Sequence, residues 1–241
     1  MLQNIKELYG NKLAATDGEI GHVKDFYFDD KTWVIRYLVV DTGSWMTGRL
    51  VLLSPHALAK WDRFQKTLYV KLHKKQIENS PSIESHQPVS RQYEMEYYRY
   101  YGWPAYWEGD AMWGIGGYPA LLPPAKDLLE ARQYHHRADK HLQSTQAVNG
   151  YQIQTVDGAI GTVSGFMVDD KSWAIRELVV ETGHWYSGKE ILIAPGKVKQ
   201  VDYENSSVLV NLTKADIQQT AERHIVHTSA EKQAAEIIPV Q

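Results

Sequence analysis

The chain has 241 residues, with 26 Lys and Arg against 29 Asp and Glu for a net charge of -3, and this near-balance argues against a broad nucleic-acid footprint. The absence of cysteine excludes disulfide staples and thiolate metal sites. MLQNIKELYG lacks the apolar core of a signal peptide and no window approaches the ~18 apolar residues of a bilayer span, so a cytoplasmic protein without integral membrane association is expected.

The segment from Gly10 to Ser80 recurs from Gly150 to Thr220 at a constant offset of 140 residues without insertion or deletion, and 27 of 71 aligned positions are identical. A repeat of this kind governs domain organisation. It places a first unit at 1–80, a connection at 81–149, a second unit at 150–220 and a tail at 221–241. Each unit is near the size at which one core is only marginally stable alone, so each is expected to pack against a neighbour.

Within the first unit, Asp17-Gly18 reads as a reversal, followed by IGHVKDFYF over 20–28 as a half-buried strand with an irregularity near its start. Asp29-Asp30-Lys31 reads as the next turn. From Trp33 to Val40 a longer strand sets Trp33, Ile35, Tyr37 and Val39 on one side, with Val34, Arg36, Leu38 and Val40 on the other. Two such apolar faces indicate a central strand. Leu50 to Leu53 gives another, ended by Ser54-Pro55. A later strand spans Thr67 to Leu72, and Lys74 to Asn79 suits a terminal helical turn. The second unit repeats this order, with its last strand at Ser207 to Leu212. Such a small antiparallel sheet protects its edges best by closing into a barrel.

Between the units, Ser80 to Gln92 reads as a linker with Pro81 and Pro88. Tyr93 to Tyr118 holds seven Tyr and three Trp. Tyr93, Tyr97, Tyr98 and Tyr101 suit one helical face, stopped by Gly102-Trp103-Pro104. Its glycines and the absence of a long apolar period suit either a disordered linker or an irregular arm that folds across a barrel or joins a second subunit, with Tyr97, Tyr98, Tyr101, Trp103, Tyr106, Trp107 and Trp113 as candidate anchors. A nucleic-acid stacking surface is disfavoured because little beyond Arg99 supplies positive charge. After Pro123-Pro124, AKDLLEARQYHHRADKHLQ suits a short helix. Ile225, Val226, Ile237 and Ile238 offer the tail an apolar contact.

The run Asp17, Gly18, Ile20, Gly21 and Val23, then the Asp29 turn and the strand ending Leu38, Val39 and Val40, resembles the PRC-barrel family. That family is named for the cytoplasmic barrel of the photosynthetic reaction-centre H subunit, and the run is also similar to the C-terminal barrel of the ribosome-maturation factor RimM. Its second occurrence uses Asp157, Gly158, Ile160, Gly161, Val163, Asp169, Leu178, Val179 and Val180. The resemblance implies a mainly β protein: two small PRC-type β-barrels with short helices and an irregular aromatic-rich connection. It further implies protein association or regulatory adaptation, with no catalytic residue set. The chain lacks the H subunit's membrane-spanning N-terminus and the ribosome factor's separate N-terminal domain, so neither specific role transfers.

The residues themselves supply little chemistry. Asp29-Asp30 and Asp169-Asp170 lack the ligand series of a calcium loop, and His135, His136 and His141 lack metal-site spacing. No metal or cofactor is assigned. Neither a G-x-S-x-G serine nor a thiol nucleophile is present, and no catalytic residue is named. Arg36 and Arg176 interrupt apolar strands and need a carboxylate, solvent or a ligand; Asp25, Asp41, Glu177 and Glu181 are among the acidic groups open to them. Trp45 and Trp185, in T-G-x-W-x-x-G, cap a barrel end or face a partner.

The preferred reading is a noncatalytic scaffold with an unidentified protein partner, forming a homo-oligomer through its aromatic segments. A small-polar-ligand or enzymatic module using Arg36 or Arg176 is the main alternative, and an RNA- or ribosome-associated adaptor is the third.

Overall fold

The computed structural model describes residues 1–46, 48–81, 91–103, 105–106, 142–183, 186 and 188–219. The chain divides into two compact units. The first takes Met1, residues 3–146 and 169–174, and the second takes Leu2, residues 147–168 and 175–241.

After β1 (Leu2–Asn4), the first unit builds β2 (Lys12–Ala15), β3 (Gly18–Asp29), β4 (Val34–Asp41), β5 (Leu50–Leu53), β6 (Leu58–Asp62) and β7 (Thr67–Val70). Helix α1 (Lys74–Glu78) follows, then α2 (Arg91–Tyr101), β8 (Leu142–Ser144) and α3 (Thr145–Val148). The sheet order is β5-β4-β3-β2-β7-β6, with β8 on β3. Neighbours run antiparallel except β2 and β7, which are parallel and so depart from the all-antiparallel expectation.

The second unit repeats this path with β9 (Gln152–Thr155), β10 (Gly158–Asp169), β11 (Ile175–Thr182), β12 (Glu190–Ile193), β13 (Val198–Asp202) and β14 (Ser207–Val210), ordered β12-β11-β10-β9-β14-β13. Its parallel pair is β14 with β9.

Each unit buries its own apolar side chains. Leu13, Ile20, Phe26, Ile35, Leu38, Val40, Leu53 and Leu68 are buried in the first, as are Ile153, Ile160, Phe166, Leu178, Val180, Ile193 and Val208 in the second. Every residue from Val34 to Val40 is buried, which is what a strand hemmed by β3 and β5 with both faces covered requires.

Two local features explain the repeated motif. At Gly21 a Cβ would lie 2.0 Å from the carbonyl oxygen of Asp41, and at Gly161 it would lie 2.0 Å from that of Glu181. Only glycine lets the strands approach so closely. In the Asp29 turn the carboxylate accepts from the Lys31 and Thr32 amides at 2.9 and 3.1 Å. The Trp33 amide donates to the Asp29 carbonyl at 2.7 Å. Trp33 and Trp173 have φ of 55° and 58°, so each closes a turn instead of opening the strand as alternation suggested.

Candidate functional site

Alternation of side chains along β4 breaks at Arg36. Tyr27 pairs with Tyr37 and Phe28 with Ile35, which leaves Arg36 as the extra residue of a bulge; Met167 with Glu177 and Val168 with Ile175 leave Arg176 in the same position. A bulge re-aims a side chain relative to its neighbours. The two arginines therefore share a backbone device, yet their surroundings differ: Arg36 is 1% exposed, whereas Arg176 is exposed.

What covers Arg36 is the aromatic segment. Helix α2 lies on the β4–β5 face, where Tyr97, Tyr98 and Tyr106 pack with Tyr37, Val39 and Leu52. Its stop is the one expected: Gly102 takes φ 68°, and the Trp103 amide reaches back to the Tyr98 carbonyl at 3.0 Å. The i, i+4 spacing of Tyr93, Tyr97 and Tyr101 gives Tyr97 a stacked neighbour at 6.0 Å and an edge-on one at 4.9 Å. The Tyr97 hydroxyl donates to the Leu52 carbonyl at 3.0 Å and accepts from the Ser54 amide at 2.9 Å, satisfying it in a site where it is 0% exposed. Full burial of such side chains contributes about 2 kcal/mol each before conformational entropy is charged.

Under the helix runs a polar chain. Glu94, wholly buried, accepts from the Tyr37 and Tyr106 hydroxyls, each at 2.7 Å through Oε1. The Tyr106 ring lies 3.9 Å from the Arg36 guanidinium carbon. Arg36 donates to Thr32 Oγ1 at 2.9 Å and stands 3.7 Å from Asp29 Oδ2. Burial lowers the Arg36 pKa, and Tyr106, Asp29, Tyr98 and Glu94 oppose that shift. Burial, reinforced by Glu94, raises the Tyr37 pKa well above its usual value, so its hydroxyl stays a donor. The carboxylate beside Arg36 is Asp29, from the turn that precedes its own strand.

Asp25 is used elsewhere. It accepts from the Ser144 hydroxyl, from Thr145 Oγ1 at 2.9 Å and from the Gln146 amide at 3.2 Å, fastening the 144–146 segment to β3. Its own neighbour Phe26 supplies a further amide at 2.7 Å. Burial raises the Asp25 pKa against the pull of these four donors. The sequence carries one sign of this asymmetry: Asp25 aligns with Gly165, which has no side chain to perform the task.

The other candidate anchors fall in several places. Tyr101 and Trp103 are half-buried and stack on each other at 4.5 Å. Trp45 is half-buried in a 3-10 turn over Gly43–Met46, with Lys74 Nζ 4.5 Å from its ring. Trp107, Trp113, Trp185, His135, His136 and His141 lie outside the described residues. A cavity of about 380 Å³ in the first unit is lined by Lys60, Trp61, Arg63, Asp170 and Lys171 among others, and Arg36 does not line it. Among the described residues, no cluster of three or more His, Cys, Asp or Glu could hold a metal ion, and no helix is long and apolar enough to cross a membrane.

A mixed sheet occurring twice, with an aromatic helix packed on the β4–β5 face of the first copy, defines a protein of two small β units. The PRC-barrel domain family matches residues 4–78 and 146–217, and the chain belongs to that family as a tandem member. Comparison with curated proteins returns no match.

Proposed function

We propose that the protein is a noncatalytic, cytoplasmic adaptor that mediates protein association through tandem PRC barrels at 1–80 and 150–220, with 81–149 as the connection and 221–241 as a tail. One observation carries the reading. The β4–β5 wall of the first barrel already holds an 11-residue aromatic helix from its own chain, with Tyr97 and Tyr98 0% and 2% exposed. A barrel wall that binds one helix through apolar contacts and paired hydroxyls is suited to recognising protein segments. Because Tyr97, Tyr98 and Tyr106 anchor the chain to itself, contact with a partner or a second copy falls to exposed groups such as Tyr100 (43%) and Phe64 (103%).

The test joins light scattering with capture from the native cell, followed by binding of each captured protein, purified, to the full chain. Concentration-dependent growth in mass, or direct binding at about micromolar Kd or tighter, supports the proposal when Phe64→Ser with Tyr100→Ser weakens it about tenfold. A chain that stays monomeric and binds none of the purified proteins overturns it.

A further inference from the structure

The lining of the 380 Å³ cavity in the first unit divides by burial into two chemistries. Its buried part is apolar, with Leu8, Pro55 and Leu68 from the core and half-buried Trp61 beside them. Its exposed part is cationic: Lys60 and Arg63 from the β6–β7 hairpin and Lys171 from the 169–174 segment of the same unit. One carboxylate in the lining, Asp170, stands against these three cations, 3.8 Å from Arg63. Among the described residues neither Lys60 nor Lys171 forms an ion pair. The Lys60 ammonium instead lies 4.8 Å from the Tyr69 ring centroid, and the Arg63 guanidinium carbon 4.7 Å from that of Trp61.

The repeat shows that the scaffold does not require these groups. The hairpin backbone is the same in both copies: the Asp62 carboxylate accepts from the Gln65 amide and Asp202 from the Asn205 amide, each at 3.0 Å, and Lys66 and Ser206 take φ of 47° and 49°. Pro55, Leu58 and Leu68 persist as Pro195, Val198 and Val208, whereas Lys60, Trp61 and Arg63 become Gln200, Val201 and Tyr203. The cations are thus an addition of the first copy to a shared frame. We infer that this cavity is a binding site for a small organic anion, with its acidic group at Arg63 and Lys60 and its apolar body against Leu8, Leu68 and Trp61. A planar guanidinium pairs with a carboxylate or sulfonate through two donors, and a concave surface concentrates the field of the cations around it. An inorganic ion would leave the apolar lining wet, and a neutral molecule would leave the cations without a partner. Cavities of about 300–1,000 Å³ with apolar walls and a few convergent polar groups suit compact organic ligands. The inference does not rest on the adaptor reading and uses neither Phe64 nor Tyr100.

The test titrates two fluorescent probes separately into the full chain: 8-anilinonaphthalene-1-sulfonate, an organic anion, and N-phenyl-1-naphthylamine, the same body without the sulfonate. The anion is expected to saturate at one molecule per chain with a Kd of about 100 μM or tighter. Lys60→Gln with Arg63→Gln is expected to weaken it about tenfold or more while changing the neutral probe less than about twofold. Lys24→Gln with Lys199→Gln removes the same charge outside the cavity and is expected to leave the anion within about twofold of the parent. Ala59→Phe, in the cavity lining, is expected to abolish the anion site. All five positions are exposed, so none of these changes removes core packing. No saturable binding of the anion, equal weakening by the two charge pairs, equal weakening of the two probes, or full binding to Ala59→Phe would each overturn the proposal.

Discussion

The Arg36 guanidinium carbon lies 3.9 Å from the ring centroid of Tyr106, while the hydroxyl of that ring donates to Glu94 at 2.7 Å. One aromatic side chain thus stands between a buried cation and a buried carboxylate, contacting the first through its face and the second through its edge group. Tyr106→Phe keeps the ring over Arg36 and removes only the hydroxyl, with an expected loss of about 1.5–3 kcal/mol. Tyr106→Ala also removes the packing and is expected to cost about 3–5 kcal/mol. Urea unfolding of the two variants, followed by near-ultraviolet dichroism, checks the order.

The two bulge arginines are expected to respond differently to the same change. Arg36→Ala takes a buried cation from the Asp29 carboxylate, Thr32 Oγ1 and the Tyr106 ring and is expected to destabilise by about 3–5 kcal/mol. Arg176→Ala, at an exposed position, is expected to stay within about 1 kcal/mol of the parent. Equal losses in paired denaturation curves would contradict the assignment of Arg36 to the helix-covered wall.

Asp25 links stability to pH with a definite sign. Its pKa is raised in the folded chain above the ordinary 3.8, so its contribution is fully present below 3.8 and is lost as pH rises through the folded value. Asp25→Asn removes this dependence. The stability of the parent minus that of the variant is therefore expected to be most favourable in acid and to decline toward neutral pH. Thermal melts of both proteins across that range measure it, and a difference that rises with pH would refute the burial argument.

Gly21 and Gly161 should be intolerant of alanine for one shared reason, the backbone oxygen 2.0 Å from the added Cβ. Each substitution is expected to cost about 3 kcal/mol or more. Gly10→Ala, where φ is 73° but nothing lies within 4 Å, is expected to cost about 1–2 kcal/mol from the backbone alone. Chemical denaturation of the three variants separates steric from conformational cost.

Much of the scaffold was legible before folding. The apolar runs at 20–28, 50–53 and 67–72 became β3, β5 and β7, Ser54-Pro55 became the strand exit, and Gly102 ended the aromatic helix. Period-two reading failed at Arg36, because the bulge in β4 inserts a residue that alternation does not anticipate. It failed at Trp33 because positive φ in a non-glycine residue leaves no mark in hydropathy. Glu94 passed unnoticed as a site residue, and Asp25, expected as a partner for a strand arginine, holds the 144–146 segment instead. Their partners lie 57 residues away at Tyr37 and 119 away at Ser144, beyond any local spacing rule.

The sequence by itself determined that this protein is one β scaffold made twice, because strand pattern, turn chemistry and close-approach glycines are local properties repeated at a fixed offset. Tertiary structure decided how the copies differ. Burial depends on what arrives from elsewhere in the chain, and an aromatic helix arriving on β4 and β5 turned Arg36 into a buried structural cation while Arg176, in the same bulge, stayed exposed.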